Sequence, residues 1–152
     1  MAKIAIILAE GFEEIEALGT ADILRRAKAE VFIAGLEQGA VSSTRGIRVV
    51  PDGLIDEINP DIFDAIILPG GQPGADNLNN DKRVIKLIHE FNNRKKLICA
   101  ICAAPYILAE QGLLKGKRAT CFPAYAENLG ESYVEKKVVE YENFITSRGP
   151  AT

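Results

Sequence analysis

The densest chemistry in this chain lies in Leu97-Ile98-Cys99-Ala100-Ile101-Cys102-Ala103-Ala104-Pro105-Tyr106-Ile107-Leu108, where an apolar run ends on a cysteine and passes through small residues into a helical stretch. A nucleophile on a tight strand-to-helix turn stands exposed above a sheet edge, and small neighbours let the backbone bend there. A helix starting at Ala103 would add free amides and partial positive charge, so the context predicts Cys102 to be the most acidic thiol, below the usual ~8.5. The plain alternative is a buried cysteine filling the top of the sheet, as free cysteines usually do. Cys99 and Cys102 also make a Cys-x-x-Cys spacing, but side chains three apart on a strand point to opposite faces, which disfavours a disulfide. Cys121 has no partner by spacing and reads as core.

Gly70-Gly71-Gln72-Pro73-Gly74 follows the apolar run Ala65 to Leu68, and paired glycines at the end of a parallel strand let backbone amides approach a ligand. No Gly-Lys-Ser/Thr follows, which excludes a nucleotide P-loop and leaves either an amide donor site or a plain turn. In Glu10-Gly11-Phe12-Glu13-Glu14-Ile15-Glu16, acids at a helix start are explained by the helix dipole for Glu13 and Glu14. Glu16 lies beside the apolar stripe instead, so it can point over the sheet, where burial would keep it protonated. The single histidine, His89, falls off the Val84-Ile88-Phe91 stripe and reads as a solvated helix residue; one histidine builds no multi-histidine metal site, and none is expected.

These residues need a frame to hold them. Strand-length apolar runs at Ile4 to Leu8, Val31 to Ala34, Ala65 to Leu68, Leu97 to Ile101 and Phe144 to Thr146 alternate with amphipathic stretches, the pattern of βαβ units around a buried parallel sheet. Helices are predicted from about Glu13 to Ala27, on the stripe Phe12, Ile15, Leu18 and Ala21, and over Val84 to Phe91 with Asn80 or Asp81 as cap. Ala40 to Pro51 reads as an inserted hairpin. The 152 residues suit a single domain, 1–152, and the net charge of −3 lacks the basic field of a nucleic-acid binder. No run approaches a membrane span and no signal-peptide pattern opens the chain, so a cytoplasmic protein with reduced thiols is expected.

Together, Glu16, the Leu68-Pro69-Gly70-Gly71 turn, the Ala100 to Pro105 elbow and the closing Thr146-Ser147-Arg148-Gly149-Pro150 resemble the DJ-one/ThiJ/PfpI superfamily over the whole chain, in particular its DJ-one-like branch. The resemblance implies a flavodoxin-like three-layer α/β sandwich with a mostly parallel central sheet. It also implies roles. Cys102 matches the oxidisable nucleophile and Glu16 the protonated acid bonded to its sulfur; the amides of Gly71 and Ala103, with Gly70 beside them, match oxyanion-type donors. Glu13 and Arg45 look like the pair that reaches across a homodimer interface towards the active site. Two positions depart from the pattern: Phe122 stands where many relatives have a histidine near the cysteine, and Ala103 rather than histidine follows Cys102. A Cys-His dyad is therefore lacking. Relatives also continue beyond the Ser147-Arg148-Gly149-Pro150 segment into helices that cover the sheet, which leaves an expected uncovered apolar area near Phe144 and Ile145.

The function implied is that of a stress-response protein acting without cofactor on 2-oxoaldehydes or glycated groups, as a glyoxalase or deglycase, and forming a homodimer. A redox sensor or chaperone working through Cys102 oxidation uses the same residues, and an intracellular cysteine peptidase is the third reading, weakened by the missing histidine.

Overall fold

Residues 1–152 are all described by the structure, a computed structural model. The aliphatic runs form strands where the sequence places them: β1 (Lys3–Leu8) and β2 (Glu30–Gly35), separated by helix α1 (Thr20–Arg26). The inserted segment forms the small antiparallel pair β3 (Val41–Ser42) and β4 (Arg48–Val49), followed by the two-residue strand β5 (Gly53–Leu54). Then come β6 (Ala65–Leu68), helices α2 (Gly74–Asn80) and α3 (Lys82–Asn93), β7 (Leu97–Ile101) and helix α4 (Pro105–Glu110). A short helix α5 (Ala126–Leu129) precedes the hairpin β8 (Val138–Tyr141) and β9 (Phe144–Ser147). Asp81 caps α3 as expected, its side chain accepting from the Arg83 amide at 2.8 Å.

The main sheet runs β5-β2-β1-β6-β7-β9-β8, parallel throughout except for β8 against β9. The chain works outwards from β1 to β2 and β5, then returns to the other side of β1 through β6 and β7. The carboxyl ends of β1 and β6 therefore flank a switch point, where α/β sheets open a crevice for ligands. Along β7 the alternation is plain: Ile98 and Ala100 are buried, while Leu97, Cys99 and Ile101 are half-buried on the opposite face.

The two faces are covered unequally. Ile7, Ile66, Leu68, Ile98 and Phe144 pack with Leu78, Ile88, Phe91, Ile107 and Leu129 in the larger core. On the other face Ile6, Leu8, Ile33 and Ile67 pack with Ala17, Ala21 and Val41 in a smaller one. The expectation for Phe144 is thus corrected: it points into the larger core and is buried, because it shares a face with Ile98. Ile145, one residue on, faces the thinner side and lines an apolar cavity of about 350 Å³ with Ile4, Leu24, Ile67, Cys99 and Val138.

The first helical segment also departs from the expected stripe. Ile15–Gly19 forms a wide π-helical turn before α1, and the extra residue per turn rotates the side chains relative to an α-helix. Ile15 ends up 61% exposed while Glu16 is only 2% exposed and Ala17 is fully buried. No helix is long and apolar enough to cross a membrane.

Candidate active site

Cys102 follows β7 directly, with φ at +62°, a left-handed conformation that non-glycine residues adopt at a cost of roughly 1–2 kcal/mol. Bonds on both sides hold it there. Its amide donates to the Ser147 carbonyl at the end of β9, 2.9 Å away, and its carbonyl accepts from the Phe122 amide at 2.7 Å. Ala104 closes the turn by donating to the Ile101 carbonyl at 3.0 Å. The closing Thr146-Ser147 motif is thus the floor of the elbow, with the Thr146 hydroxyl accepting from the Thr120 amide at 2.9 Å.

Glu16 comes to the same point from the π-helical turn. Its Oε2 accepts from the Gly70 amide at 2.8 Å, and its Oε1 is buried without a partner of full hydrogen-bond geometry. Burial pushes its carboxyl up to about 7, against the Gly70 hydrogen bond and the neighbouring Cys102 thiol, which pull it down. Gly70 separates the two groups so closely that a Cβ there would stand 2.7 Å from Glu16 Oε2 and 2.8 Å from Cys102 Cβ. Gly70 therefore differs from its expected role: its amide is committed to Glu16 and positions the acid instead of facing a ligand.

The thiol differs too. Burial pushes Cys102 up to about 12, helped by the Glu16 charge, while the Ala103 amide pulls it down. The helix begins at Pro105, three residues on and later than expected, because proline takes the first-turn position with Ala104 as cap. Cys99 is likewise raised to about 12 and Cys121 to about 11, both by burial. Thiol and acid form a coupled pair, and a proton held by Glu16 removes the charge that opposes the thiolate.

The amides of Gly71 and Ala103 enter none of the backbone bonds of the turns and loops, and that of Ala103 is directed at the Cys102 sulfur. Gly71, at φ +87°, lies where a Cβ would meet the Glu13 amide at 2.5 Å. Glu13 and Arg45 are brought together within one chain, 3.3 Å apart, with Arg45 also 3.6 Å from Glu14. Glu13 also caps the turn, its Oε2 accepting from the Glu16 amide at 2.8 Å. Phe122 is 45% exposed, and His89 is engaged with Gln111 at 3.2 Å. No three His, Cys, Asp or Glu side chains are grouped to hold a metal ion.

A further set escapes any reading by spacing. Gln72 Nε2 donates to Asp76 Oδ1 at 3.1 Å and to the Tyr125 hydroxyl at 2.8 Å, and the Tyr106 hydroxyl donates to Asp76 Oδ1 at 2.6 Å. Only the four-residue interval between Gln72 and Asp76 carries a local signal.

The family model of the DJ-1/PfpI family matches residues 2–152. Protein DJ-1 homolog B of Arabidopsis thaliana is 40% identical over 99% of this chain, which spans 35% of that relative's length. Deglycase PfpI of Pyrococcus furiosus is 31% identical over 97% of this chain and 90% of its own. The crystal structure of a DJ-1 superfamily protein from Salmonella typhimurium superposes with a TM-score of 0.94 at 40% identity, covering 99% of this chain and 83% of that one.

Proposed function

This chain belongs to the DJ-1/PfpI family, and we propose that it is a cofactor-independent glyoxalase or deglycase in which Cys102 is the nucleophile and Glu16 the acid/base. The observation that carries this is the buried Glu16 carboxyl, raised to about 7 and parted from Cys102 only by Gly70, where a Cβ would stand 2.7 Å from Glu16 Oε2 and 2.8 Å from Cys102 Cβ. A group titrating near neutrality both gives and takes protons efficiently at working pH.

With methylglyoxal as the substrate, the sulfur of Cys102 attacks the aldehyde carbon. The Glu16 carboxylate takes the thiol proton as the C–S bond forms, the carbonyl π pair moves to oxygen and that proton is passed on to it, giving a hemithioacetal and restoring the carboxylate. Gly71 and Ala103 amides stabilise the developing oxyanion. The Glu16 carboxylate then removes the C1 proton, the electron pair passes into an enediol, and C2 is reprotonated, leaving a thioester. Water cleaves the C–S bond and releases lactate, so one water is consumed and no external oxidant is needed. Early glycated amines and thiols offer the same adduct chemistry, and the name Deglycase PfpI of the Pyrococcus furiosus relative favours that substrate class.

A second copy of the chain is the proposed partner. Ile15 and Ile23, 61% and 66% exposed, lie eight residues apart along the first helical segment. Covering each removes apolar surface worth roughly 1.5–3 kcal/mol if fully buried.

The test is lactate formation from methylglyoxal. Cys102→Ala is expected to abolish it, and Glu16→Gln to lower kcat by about 10²-fold. Full turnover by Cys102→Ala would overturn the reading.

A further inference from the structure

We infer that Gln72 is a positioning residue that, gripped by Asp76 and Tyr125, holds the Gly71 amide in place for the carbonyl oxygen of the substrate; this rests on the function proposed above. Gly71 needs such help. It has no side chain, its φ is +87°, and its amide has no partner among the turn and loop bonds. Its one backbone anchor on the helix side is its carbonyl, which accepts from the Ala75 amide at 2.8 Å.

The next residue supplies the restraint. Gln72 Nε2 donates to Tyr125 Oη at 2.8 Å and to Asp76 Oδ1 at 3.1 Å, and Gln72 Oε1 accepts from the Asp76 amide at 3.3 Å. Tyr125 is itself tied to the nucleophile's turn: its amide donates to the Phe122 carbonyl at 2.9 Å, and the Phe122 amide donates to the Cys102 carbonyl at 2.7 Å. A second connection runs through Tyr106, four residues after Cys102. Its hydroxyl donates to Asp76 Oδ1 at 2.6 Å, and its ring stacks on Tyr125 with centroids 5.7 Å apart. The loop bearing one oxyanion donor is thus joined twice to the segments flanking the other, Ala103. Donors stabilise a developing charge only when fixed beforehand, and a misplacement of ~1 Å costs about 10²-fold in rate.

Gln72→Ala, Tyr125→Phe and the double variant test this through three measurements. Methylglyoxal turnover is expected to lose about tenfold in kcat in each single variant with little change in KM, and the double variant is expected to lose no more than the worse single one. Alkylation of Cys102 by iodoacetamide, a substitution at saturated carbon that builds no oxyanion, is expected to change by less than about twofold. The 15N order parameter of the Gly71 amide is expected to fall from ~0.85 towards ~0.6. Equal losses in alkylation and turnover, or additive losses in the double variant, would overturn the clamp, as would an unchanged Gly71 order parameter. Should the parent protein form no lactate, the proposed function fails, and the clamp is then decided by the Gly71 order parameter alone.

Discussion

Glu16 is a carboxyl whose burial was chosen over its comfort: it is 2% exposed, with one oxygen on the Gly70 amide. Its value rises from 4.5 to about 7, with burial as the largest cause. Throughout that window the folded chain holds a proton that the unfolded chain has released, so stability falls as pH rises from about 4.5 to about 7. Below 4.5 both states are protonated and the cost vanishes; above 7 it is fully present. Glu14, Asp81 and Glu142 have lowered values and act in the opposite direction, at more acid pH. Urea unfolding midpoints are therefore expected to decline between pH 4.5 and 7 in the parent and to stay flat there in Glu16→Gln. An identical decline in both proteins would assign the titration to another group. The same substitution removes the charge that opposes the Cys102 thiolate, so alkylation of Cys102 at pH 8 should accelerate.

At the scale of elements, the site is made by two backbone irregularities meeting across a glycine. The π-helical turn Ile15–Gly19 turns Glu16 inward, the left-handed Cys102 turns the thiol towards it, and Gly70 leaves the gap. Gly70→Ala would place a methyl group 2.7 Å from Glu16 Oε2, 2.8 Å from Cys102 Cβ and 2.8 Å from the Ile101 carbonyl. Such overpacking costs roughly 1–3 kcal/mol. It should also separate acid from thiol, lowering lactate formation by about tenfold or more; a variant with full stability and full turnover would refute the close packing. The strands that carry these features were legible, since Ala65–Leu68 and Leu97–Ile101 are uninterrupted apolar runs. So was the meeting of Cys102 with Glu16, through the family pattern of strand end, glycine turn and acid. The inward Glu16 was legible from its place beside the stripe, but the outward Ile15 was not, because apolar periodicity assumes 3.6 residues per turn and a π-helical turn breaks that count. Gln72 and Tyr125 are 53 residues apart and Asp76 and Tyr106 are 30 apart, so their contacts exist only once the sheet has brought the segments together.

For the whole molecule, unequal covering of the sheet creates two distinct apolar surfaces with different expected behaviour. One is the outer side of the first helical segment, where Ile15 and Ile23 stand in water. The other is the half-covered sheet face, a concave cavity of about 350 Å³ between Leu24 of α1 and Ile145 of β9. A convex surface of separated isoleucines suits contact with another protein, whereas a concave apolar cleft admits a small hydrophobic dye. Sedimentation across a concentration series is expected to show the parent passing from monomer to dimer, and Ile23→Lys to remain monomeric at concentrations where the parent pairs. Fluorescence of a dye that brightens in apolar surroundings should be unaffected by Ile23→Lys and reduced by Ile145→Lys, since only Ile145 lines the cleft. The reverse pattern, in which Ile145→Lys abolishes pairing while Ile23→Lys leaves it intact, would mean that copies meet through the open sheet face, and the helix surface would then carry no interface.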